Sequence, residues 1–600
     1  MRYFADEKWR RLPLADFRPR FFVETYLEKL SMHTPHFYQS RLMNVFSSCS
    51  ELIEYIDEYS ATERNAGYIL SALDEVDDNW ERDSILNSLC AHMNDPRKQL
   101  FKVIRGGDLG QSQRSRLRVF CEAVTSRQDD YVSALLSALS SALLDKVDLS
   151  QTKRIAENIY SLTGLYVTHL LNRGYSPTYL FNRSEQWTRE NNYSGKTFNE
   201  QFQFVTDRLR TQRITFEVYY AVRAHRPAML LDIADDEDFQ FLPAIPDCIQ
   251  HHESEKLTKG IEPNVIAKAT IESTDYVSAA WRVKEKLDRL FDATTALELN
   301  PRIETSAHAV VIGKGQPAKT LNIDLLLSFL SSESGTFFSG SEASIRHALT
   351  TLNEGGREHL RRSLRYLRLA RNSISLEQKL LNLWIALESL FADGESTVLP
   401  SILDHVPQIY AISSLRRRVN HLRELLIRNE IPTTGLIRKA IVDLPAFCSE
   451  VTEAQIFRLL RNRAAALELF DSLGEKEHLK FKLVAIFDEL KSNSEIGRRI
   501  KQTESDVTRQ LRRIYFLRNK MAHTGHYGNI RPQLVMHLLD YLAGSYVALC
   551  ESASVTARKQ RHSISDLLAA YKFGADAVVM KCRSGREVAE IQDLVPSPII

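Results

Sequence analysis

Apolar residues recur at helical spacing through the first third of the chain. The period is clearest from Leu42 to Ile56, from Leu135 to Leu144 and from Ile155 to Leu171. Acidic and basic residues are interspersed between these apolar positions, which is typical of solvated helix faces. The pattern therefore predicts an N-terminal helical region.

The pattern changes after Asn191. Segments rich in β-branched and aromatic residues predict three strands, at residues 214–222, 264–272 and 307–312. A helical period from Tyr276 to Leu290 separates the second strand from the third. This order predicts a small α+β domain. The Gly313-Lys314-Gly315 sequence lacks the spacing of a phosphate-binding fingerprint, so we interpret it as a turn.

From about residue 320 onward the helical period returns. Its clearest elements are Leu364 to Phe391 and Asp506 to Met521, and a proline-containing break is predicted at residues 431–435. The residues from Leu594 onward are predicted to form a disordered tail. The predicted fold class is thus mainly α with a small α+β insert, ending in a C-terminal helical bundle.

The length of the chain, 600 residues, is too great for one hydrophobic core, so several domains are expected. We predict a helical domain of unknown role at 1–150, and a helical linker with the small α+β domain at 151–320. A helical bundle follows at 321–555, and a C-terminal extension and tail at 556–600.

Composition limits the classes of function. The formal net charge of +2 excludes a strongly basic coat, so a nucleic-acid site would have to be a local patch. The seven cysteines are scattered without a CxxC motif, which predicts neither a disulfide framework nor a metal site and favours a reducing cytoplasm. We expect no signal peptide and no membrane association, because no segment has the required apolar length.

The candidate chemistry lies between Leu517 and Gly525. Arg518 and His523 stand five residues apart at the end of a helical pattern, and Asn519 directly follows the arginine. An arginine can neutralise a phosphate, and a histidine can transfer a proton near neutral pH. Cleavage of RNA without a metal ion requires these two abilities. No cluster of metal ligands is visible in the sequence, so we expect neither a metal nor a cofactor.

Arg518 lies in the middle of an apolar stripe. With Asp506 as the predicted N-cap, the stripe is formed by Val507, Leu511, Ile514 and Met521. His523 is about 140° away from Arg518 on an ideal helix. The two side chains can converge only if the helix ends or bends after Met521, and Thr524-Gly525 is compatible with an end there.

The spacing of the two residues is weak evidence by itself. Arg416 with His421, and Arg531 with His537, have comparable spacings. The context is more specific, because residues 517–525 resemble the Arg-x4-6-His signature of HEPN domains. Upstream, residues 381–391 (LNLWIALESLF) resemble an earlier helix of the Apea-like HEPN members. Together the two segments make the resemblance, which covers roughly residues 360 to 555.

The resemblance implies a function and a role for each matched residue. Many HEPN domains are metal-independent endoribonucleases in which two protomers form one composite site. By this resemblance His523 would act as general base or acid at the ribose 2′-OH and the leaving oxygen. Arg518 would bind the scissile phosphate, and Asn519 would orient His523 or the substrate.

Other charged residues complete the predicted site. Glu388 lies in a helix that is apolar nearly all round, so we predict a buried contact in which it supports Arg518. Four basic residues make the approach helix cationic and form either an RNA-binding track or a solvated face. These four are Arg509, Arg512, Arg513 and Lys520.

The hypothesis is therefore a cytoplasmic bacterial HEPN ribonuclease, a toxin or antiviral abortive-infection effector. Its expected partners are RNA, a second copy of the chain, and a protein or phage-derived trigger. The alternative is a non-catalytic HEPN scaffold that binds nucleotide, RNA or a protein. An enzyme in the α+β domain has little support, because no catalytic constellation is visible there.

Overall fold

The computed structural model describes most of the chain. The described residues are 4, 6–30, 43–62, 66–145, 151–210, 213–231, 238–295, 303–323, 342–373, 375–392, 398–432, 437, 451–524, 530–555, 561–584, 588 and 590–596.

The N-terminal region is helical, as predicted. Its buried core contains residues from Trp9 to Leu209, so the boundary predicted at residue 150 falls within that core. Its helices are α1 (Asp6–Arg10), α2 (Phe17–Leu30), α3 (Val45–Thr62), α4 (Ala66–Arg82), α5 (Ser84–Leu89), α6 (Asn94–Arg105), α7 (Gln111–Thr125), α8 (Gln128–Leu144), α9 (Thr152–Asn172), α10 (Pro177–Arg183), α11 (Glu185–Thr188) and α12 (Phe198–Arg210).

An antiparallel sheet follows, with the strand order β2-β3-β1-β4-β5. The strands are β1 (Ile214–Ala224), β2 (Gln240–Leu242), β3 (Val265–Ser273), β4 (Ile303–Gly313) and β5 (Lys319–Asn322), and the intervening helices are α13 (Pro227–Leu231), α14 (His251–Leu257) and α15 (Tyr276–Thr295). The three predicted strands and α15 are confirmed, whereas the short edge strands β2 and β5 were not predicted. The amide of Gln316 donates a hydrogen bond of 2.9 Å to the carbonyl oxygen of Gly313, which fits the predicted turn.

Both faces of this sheet are covered. Val218, Tyr220 and Val222 of β1 pack into the core beneath α15, while Tyr219 and Ala221 belong to a smaller cluster on the α14 side. Alternate residues of one strand therefore fill two apolar layers, which explains why β1 is apolar almost throughout.

The remainder is a helical bundle with one large core. Its helices are α16 (Glu342–Thr351), α17 (Glu354–Asn372), α18 (Leu376–Phe391), α19 (Leu399–Arg428), α20 (Glu453–Arg461), α21 (Arg463–Ser472), α22 (Glu477–Leu490), α23 (Asn493–Thr524), α24 (Pro532–Val555) and α25 (Ile564–Arg583). The predicted fold class, mainly α with a small α+β insert, is confirmed. Across the described residues, no helix has both the length and the apolar composition needed to cross a membrane.

Three sequence predictions about this bundle are wrong. The helix predicted from Leu364 to Phe391 is two helices, because the Ser375 side chain accepts a hydrogen bond of 3.1 Å from the Gln378 amide and starts α18. Asp506 is not an N-cap but lies inside α23. The segment at Leu594 is not disordered, since residues Ile591–Leu594 form a 3-10 helix and Leu594 is fully buried; residues 597–600 lie outside the described part.

The break predicted at residues 431–435 agrees with the end of α19. This helix ends at Arg428, and Glu430 then adopts a positive φ of 54°. Left-handed backbone of this kind commonly follows a helix C-terminus. Residues 433–436 lie outside the described part of the chain.

Candidate functional site

Helix α23 carries the Arg518 and His523 motif and extends over 32 residues. The predicted apolar stripe is confirmed, because Val507, Leu511, Ile514 and Met521 are all buried. Ile496 and Ile500 continue the stripe toward the N-terminus and are also buried. The helix begins near Ser492, whose hydroxyl accepts a hydrogen bond of 3.3 Å from the Glu495 amide. An apolar face of this length holds the motif against the bundle core.

Arg518 has two polar partners. Its Nη2 donates a hydrogen bond of 3.3 Å to Oε2 of Glu388, and its Nη1 donates one of 3.0 Å to Oδ1 of Asn519. The predicted contact between Glu388 and Arg518 is thus present. It is half-buried rather than buried, because 22% of the Glu388 side chain and 26% of the Arg518 side chain are exposed. Part of the Arg518 side chain therefore remains accessible from solvent.

Glu388 reaches Arg518 from α18, which contacts both α23 and α24. Leu387 and Leu390 are buried on either side of Glu388 in the sequence. The buried Trp384 ring lies 5.6 Å from the ring of Tyr515 on α23, at a tilt of 46°. This apolar contact fixes the distance between the helices and holds the carboxylate beside the arginine.

Helix α23 continues through His523 to Thr524, so it does not end after Met521, which was one of the two conditions under which Arg518 and His523 could converge. Gly525 allows this, since a glycine stops a helix only at its own position. The side chain of His523 and all of Gly525 lie outside the described residues. Along a regular helix, positions 518 and 523 are about 140° apart and rise by about 7.5 Å. The backbone of one chain therefore does not place them on one face.

The basic residues of α23 contact the N-terminal helices. Arg509 pairs with Asp78 at 2.5 Å, and Lys520 pairs with Glu54 at 2.8 Å. These partners lie on α4 and α3, on the side of α23 that faces the N-terminal core. In this conformation the two cations have protein carboxylates as counterions.

Arg513 forms the most buried of these pairs. Its Nε and Nη2 donate hydrogen bonds of 2.6 and 2.8 Å to the Glu51 carboxylate, and Nη2 also contacts Glu75. Burial lowers the pKa of Arg513, but the two carboxylates outweigh this effect and the pKa lies well above its usual value. Burial raises the pKa of Glu75, and the charge of Arg513 opposes this shift.

Three of the four predicted RNA-binding residues form ion pairs within the chain, namely Arg509, Arg513 and Lys520. The fourth, Arg512, is half-buried. They do not form an open cationic face here. Acidic residues three apart on α3 (Glu51, Glu54) and on α4 (Glu75, Asp78) are a signal in the sequence that could have revealed this complementary surface.

An aromatic contact strengthens the same junction. Phe516 of α23 is buried in the N-terminal core, where its ring lies 4.4 Å from the ring of Tyr55 and 5.6 Å from that of Tyr68. Both contacts are edge-to-face, a favourable geometry for aromatic pairs. Helix α23 is therefore shared by two cores, one on each side.

A cleft of about 890 Å³ lies on the N-terminal side of α23. Its lining includes Tyr166, His169, Leu517 and Arg531. Burial, followed by the charge of Arg173, lowers the pKa of His169 to about 4, so this histidine is neutral at pH 7. Arg518 and Glu388 are not among the described lining residues, so the cleft is distinct from their contact.

Across the described ranges, no group of three or more His, Cys, Asp or Glu side chains is arranged to hold a metal ion. No protein-family model matches the chain, and no curated protein or solved structure matches it either. The local geometry at Arg518 and the resemblance in the sequence therefore carry the functional argument.

Proposed function

We propose that the chain is a metal-independent endoribonuclease of the HEPN type that acts in the bacterial cytoplasm as a toxin or antiviral effector. The observation that carries this proposal is the arginine of the motif. Arg518 is held by Glu388 and Asn519 on an otherwise apolar helix face, and about a quarter of its side chain remains exposed. A positioned and partly exposed arginine side chain is suited to binding a phosphate.

The proposed reaction uses the 2′-OH of the RNA as nucleophile. His523 removes the proton of the 2′-OH, and the 2′ oxygen forms a bond with phosphorus while the bond to the 5′ oxygen breaks. A protonated histidine returns a proton to the leaving 5′ oxygen, giving a 2′,3′-cyclic phosphate and a 5′-OH. Arg518 stabilises the charge that develops on the phosphoryl oxygens, and acid–base help contributes roughly 10²–10⁴-fold.

A homodimer would complete this site. Positions 518 and 523 are about 140° apart on one helix, so a single chain does not bring its arginine and histidine onto one face. Two copies that place their α23 C-termini side by side would supply two histidines, one as base and one as acid. The proposal therefore includes a dimer in which each copy contributes to the reaction centre.

The N-terminal helices restrain the nuclease in this proposal. They hold α23 through Arg513, Arg509 and Lys520, close to the motif at its C-terminal end. A protein or phage-derived trigger that separates these helices from α23 would release the motif. Such a restraint would lower the activity without abolishing it, so an excess of the protein made on induction would still cleave RNA.

The second candidate is a non-catalytic HEPN scaffold that binds nucleotide, RNA or a protein. The internal pairing of Arg518 with Glu388 favours it, because this ion pair already satisfies the guanidinium without a substrate. In that case the arginine would stabilise the bundle, and His523 would have no role in proton transfer.

Induced expression separates the two candidates. We expect wild-type protein to inhibit growth and to fragment RNA, with 2′,3′-cyclic phosphate or 3′-phosphate ends, and we expect His523→Ala and Arg518→Ala to abolish both effects. The matched controls are His92→Ala and Arg498→Ala, which alter exposed side chains outside the motif. Fragmentation that persists in both motif variants contradicts the nuclease.

Sedimentation of the same proteins tests the composite site. The active species should have about twice the chain mass of 68.8 kDa. An active species of single-chain mass would remove the dimer from the mechanism.

A further inference from the structure

Helix α17 is strongly basic although the whole chain is nearly neutral. Its sequence contains six arginines and two glutamates, whereas the net charge of all 600 residues is +2. The six are Arg357, Arg361, Arg362, Arg365, Arg368 and Arg371. Such a concentration of one charge on one helix is a local cationic patch of the kind that the composition still allows.

Five of these arginines form a stripe along the helix. At about 100° per residue, the positions of Arg357, Arg361, Arg365, Arg368 and Arg371 fall within a sector of about 120°. The stripe is about 21 Å long at 1.5 Å per residue. All of its members are exposed except Arg357, which is half-buried. We call these five residues the arginine stripe.

The buried residues of α17 lie on another face. Leu360, Ser363, Leu367 and Ala370 are buried against the bundle, and the Ser363 hydroxyl donates a hydrogen bond of 2.6 Å to the Ala386 carbonyl of α18. This anchoring leaves the arginine stripe on the outer side of a firmly held helix. The stripe is thus a fixed surface rather than part of a loose segment.

Four of the five arginines of the stripe have no carboxylate partner within the described part of the chain. Arg357, Arg361, Arg365 and Arg368 have no carboxylate within 4.0 Å there, and neither Glu354 nor Glu358 pairs with them. Like charges three or four residues apart destabilise a helix. The arrangement therefore costs stability, in contrast to the paired Arg513, and a polyanionic partner would offset this cost.

Along the axis of α17, the arginine stripe extends past the position of the contact between Glu388 and Arg518. Helices α17 and α18 are antiparallel, since Lys379 Nζ contacts the Ala370 carbonyl at 3.2 Å and Ser363 contacts Ala386. By the same register, Arg361 lies level with Glu388, the partner of Arg518. A backbone bound along α17 would therefore extend past the height of the proposed reaction centre.

We propose that the arginine stripe binds the phosphate backbone of RNA and serves as the docking track of the nuclease. The inference rests on the proposed function and deepens it, because it assigns substrate binding to α17 instead of α23. Guanidinium groups bind phosphate oxygens bidentately, and such contacts are independent of base sequence. A shallow cleft of about 680 Å³ lies beside the N-terminal part of the stripe, where Arg357, Arg361 and Arg365 line it together with Glu354 and Glu358.

The test measures RNA binding without cleavage. In the full-length His523→Ala protein, the triple variant Arg361→Gln, Arg365→Gln, Arg368→Gln is titrated into a fluorescent single-stranded RNA at several salt concentrations. We expect binding to weaken by about tenfold or more near 0.1 M salt. The slope of log K against log salt should become shallower by about 2, since each phosphate contact contributes about 0.7.

Two control variants make the result specific. A triple Arg→Gln change at Arg116, Arg154 and Arg463 removes the same charge from other exposed positions and should leave the slope unchanged. The Arg→Lys triple at the stripe keeps the charge and should retain most of the slope. Circular dichroism then confirms that each variant is folded.

The outcomes distinguish the inference from the proposed function. Equal slopes for the stripe variant and its parent, or no RNA binding by the parent, overturn the docking track. If RNA is bound through the stripe but wild-type protein does not cleave it, RNA binding by the arginine stripe is supported and the proposed nuclease activity is contradicted. If wild-type protein cleaves RNA and the stripe variant binds like its parent, the nuclease stands and the docking track falls.

Discussion

The guanidinium of Arg518 has a fixed position because each of its two terminal nitrogens has a partner. Glu388 binds Nη2 and Asn519 binds Nη1. A half-exposed ion pair contributes little to global stability, typically up to about 1 kcal/mol. Its value in a nuclease would lie in orientation, because a phosphate site depends on the direction of the guanidinium plane.

We therefore expect Glu388→Gln to impair cleavage more than folding. Glutamine keeps the shape of the side chain but removes the charge that holds Arg518, so cleavage at saturating RNA should slow by about tenfold, equivalent to about 1.4 kcal/mol. The melting temperature should change little. Glu157→Gln, at an exposed position on α9, is the control. Unchanged cleavage by Glu388→Gln would mean that Glu388 does not position Arg518.

The contact between Glu388 and Arg518 could be predicted from local chemistry, whereas the position of His523 relative to Arg518 could not. A carboxylate in an apolar helix and an arginine on an apolar stripe each require a polar partner, and the sequence offers one of each. The Thr524-Gly525 sequence is compatible with a helix end near Met521, and α23 ends at Thr524. Glycine marks the residue at which a helix must stop and leaves the preceding turn undetermined.

Helix α23 is the element that joins the regions of the chain. One face carries the apolar stripe of Val507, Leu511 and Ile514, which packs into the bundle core. Another face carries Arg513 and Phe516, which contact the N-terminal helices. A pattern with apolar residues on one side of a helix predicts that the helix packs against a single neighbouring core. The second partner requires contacts between residues more than 400 positions apart in the sequence, so the spaced acidic residues of α3 and α4 indicate an acidic surface but not the helix that it contacts. The strands were predicted because their alternation is local.

Removing the carboxylates around Arg513 should detach the N-terminal helices from α23. In the double variant Glu51→Gln, Glu75→Gln the buried guanidinium loses both charged partners, and we expect a destabilisation of about 3–5 kcal/mol for this contact. Hydrogen exchange in α3, α4 and α23 should accelerate. If these helices restrain the nuclease, RNA cleavage by the folded fraction should also increase.

The matched control for this variant is Glu54→Gln. It breaks the pair with Lys520, in which the Glu54 side chain is 55% exposed, and should cost less than about 1 kcal/mol. Equal hydrogen exchange in the double variant and in Glu54→Gln would contradict a structural role of the buried Arg513 cluster. Accelerated exchange without a gain in cleavage would support the structural role of the Arg513 contact. It would contradict the proposal that the N-terminal helices restrain the nuclease.

At the scale of the whole molecule, the α+β domain contacts both helical regions. Asp275, at the start of α15, accepts a hydrogen bond of 2.9 Å from the amide of Ser176 in the N-terminal region. Trp281 of α15 packs against the bundle core as well as against the sheet core. The domain is thus a connected part of one assembly, and changes at its surface with the bundle can affect the whole molecule.

A pair of carboxylates at this surface makes stability depend on pH. Glu285 of α15 lies near Glu377 of α18, and its Oε1 accepts a hydrogen bond of 2.8 Å from Trp281 Nε1. Burial, followed by the charge of Glu377, raises the pKa of Glu285 to about 7, although Trp281, Arg289 and Arg282 oppose the shift. The folded state therefore binds this proton more tightly than the unfolded state.

The sign of the effect follows from that difference. A carboxyl with a raised pKa contributes its stability below about pH 4.5 and loses it as the pH rises through about 7, so wild-type protein should lose up to about 3 kcal/mol across this window. Glu285→Gln keeps the acceptor for Trp281 and cannot ionise. Its stability relative to wild type, measured by urea denaturation at pH 5 and pH 8, should therefore rise with pH. The exposed Glu262→Gln should behave as wild type at both pH values, and a constant difference between Glu285→Gln and wild type would show that Glu285 does not titrate in this window.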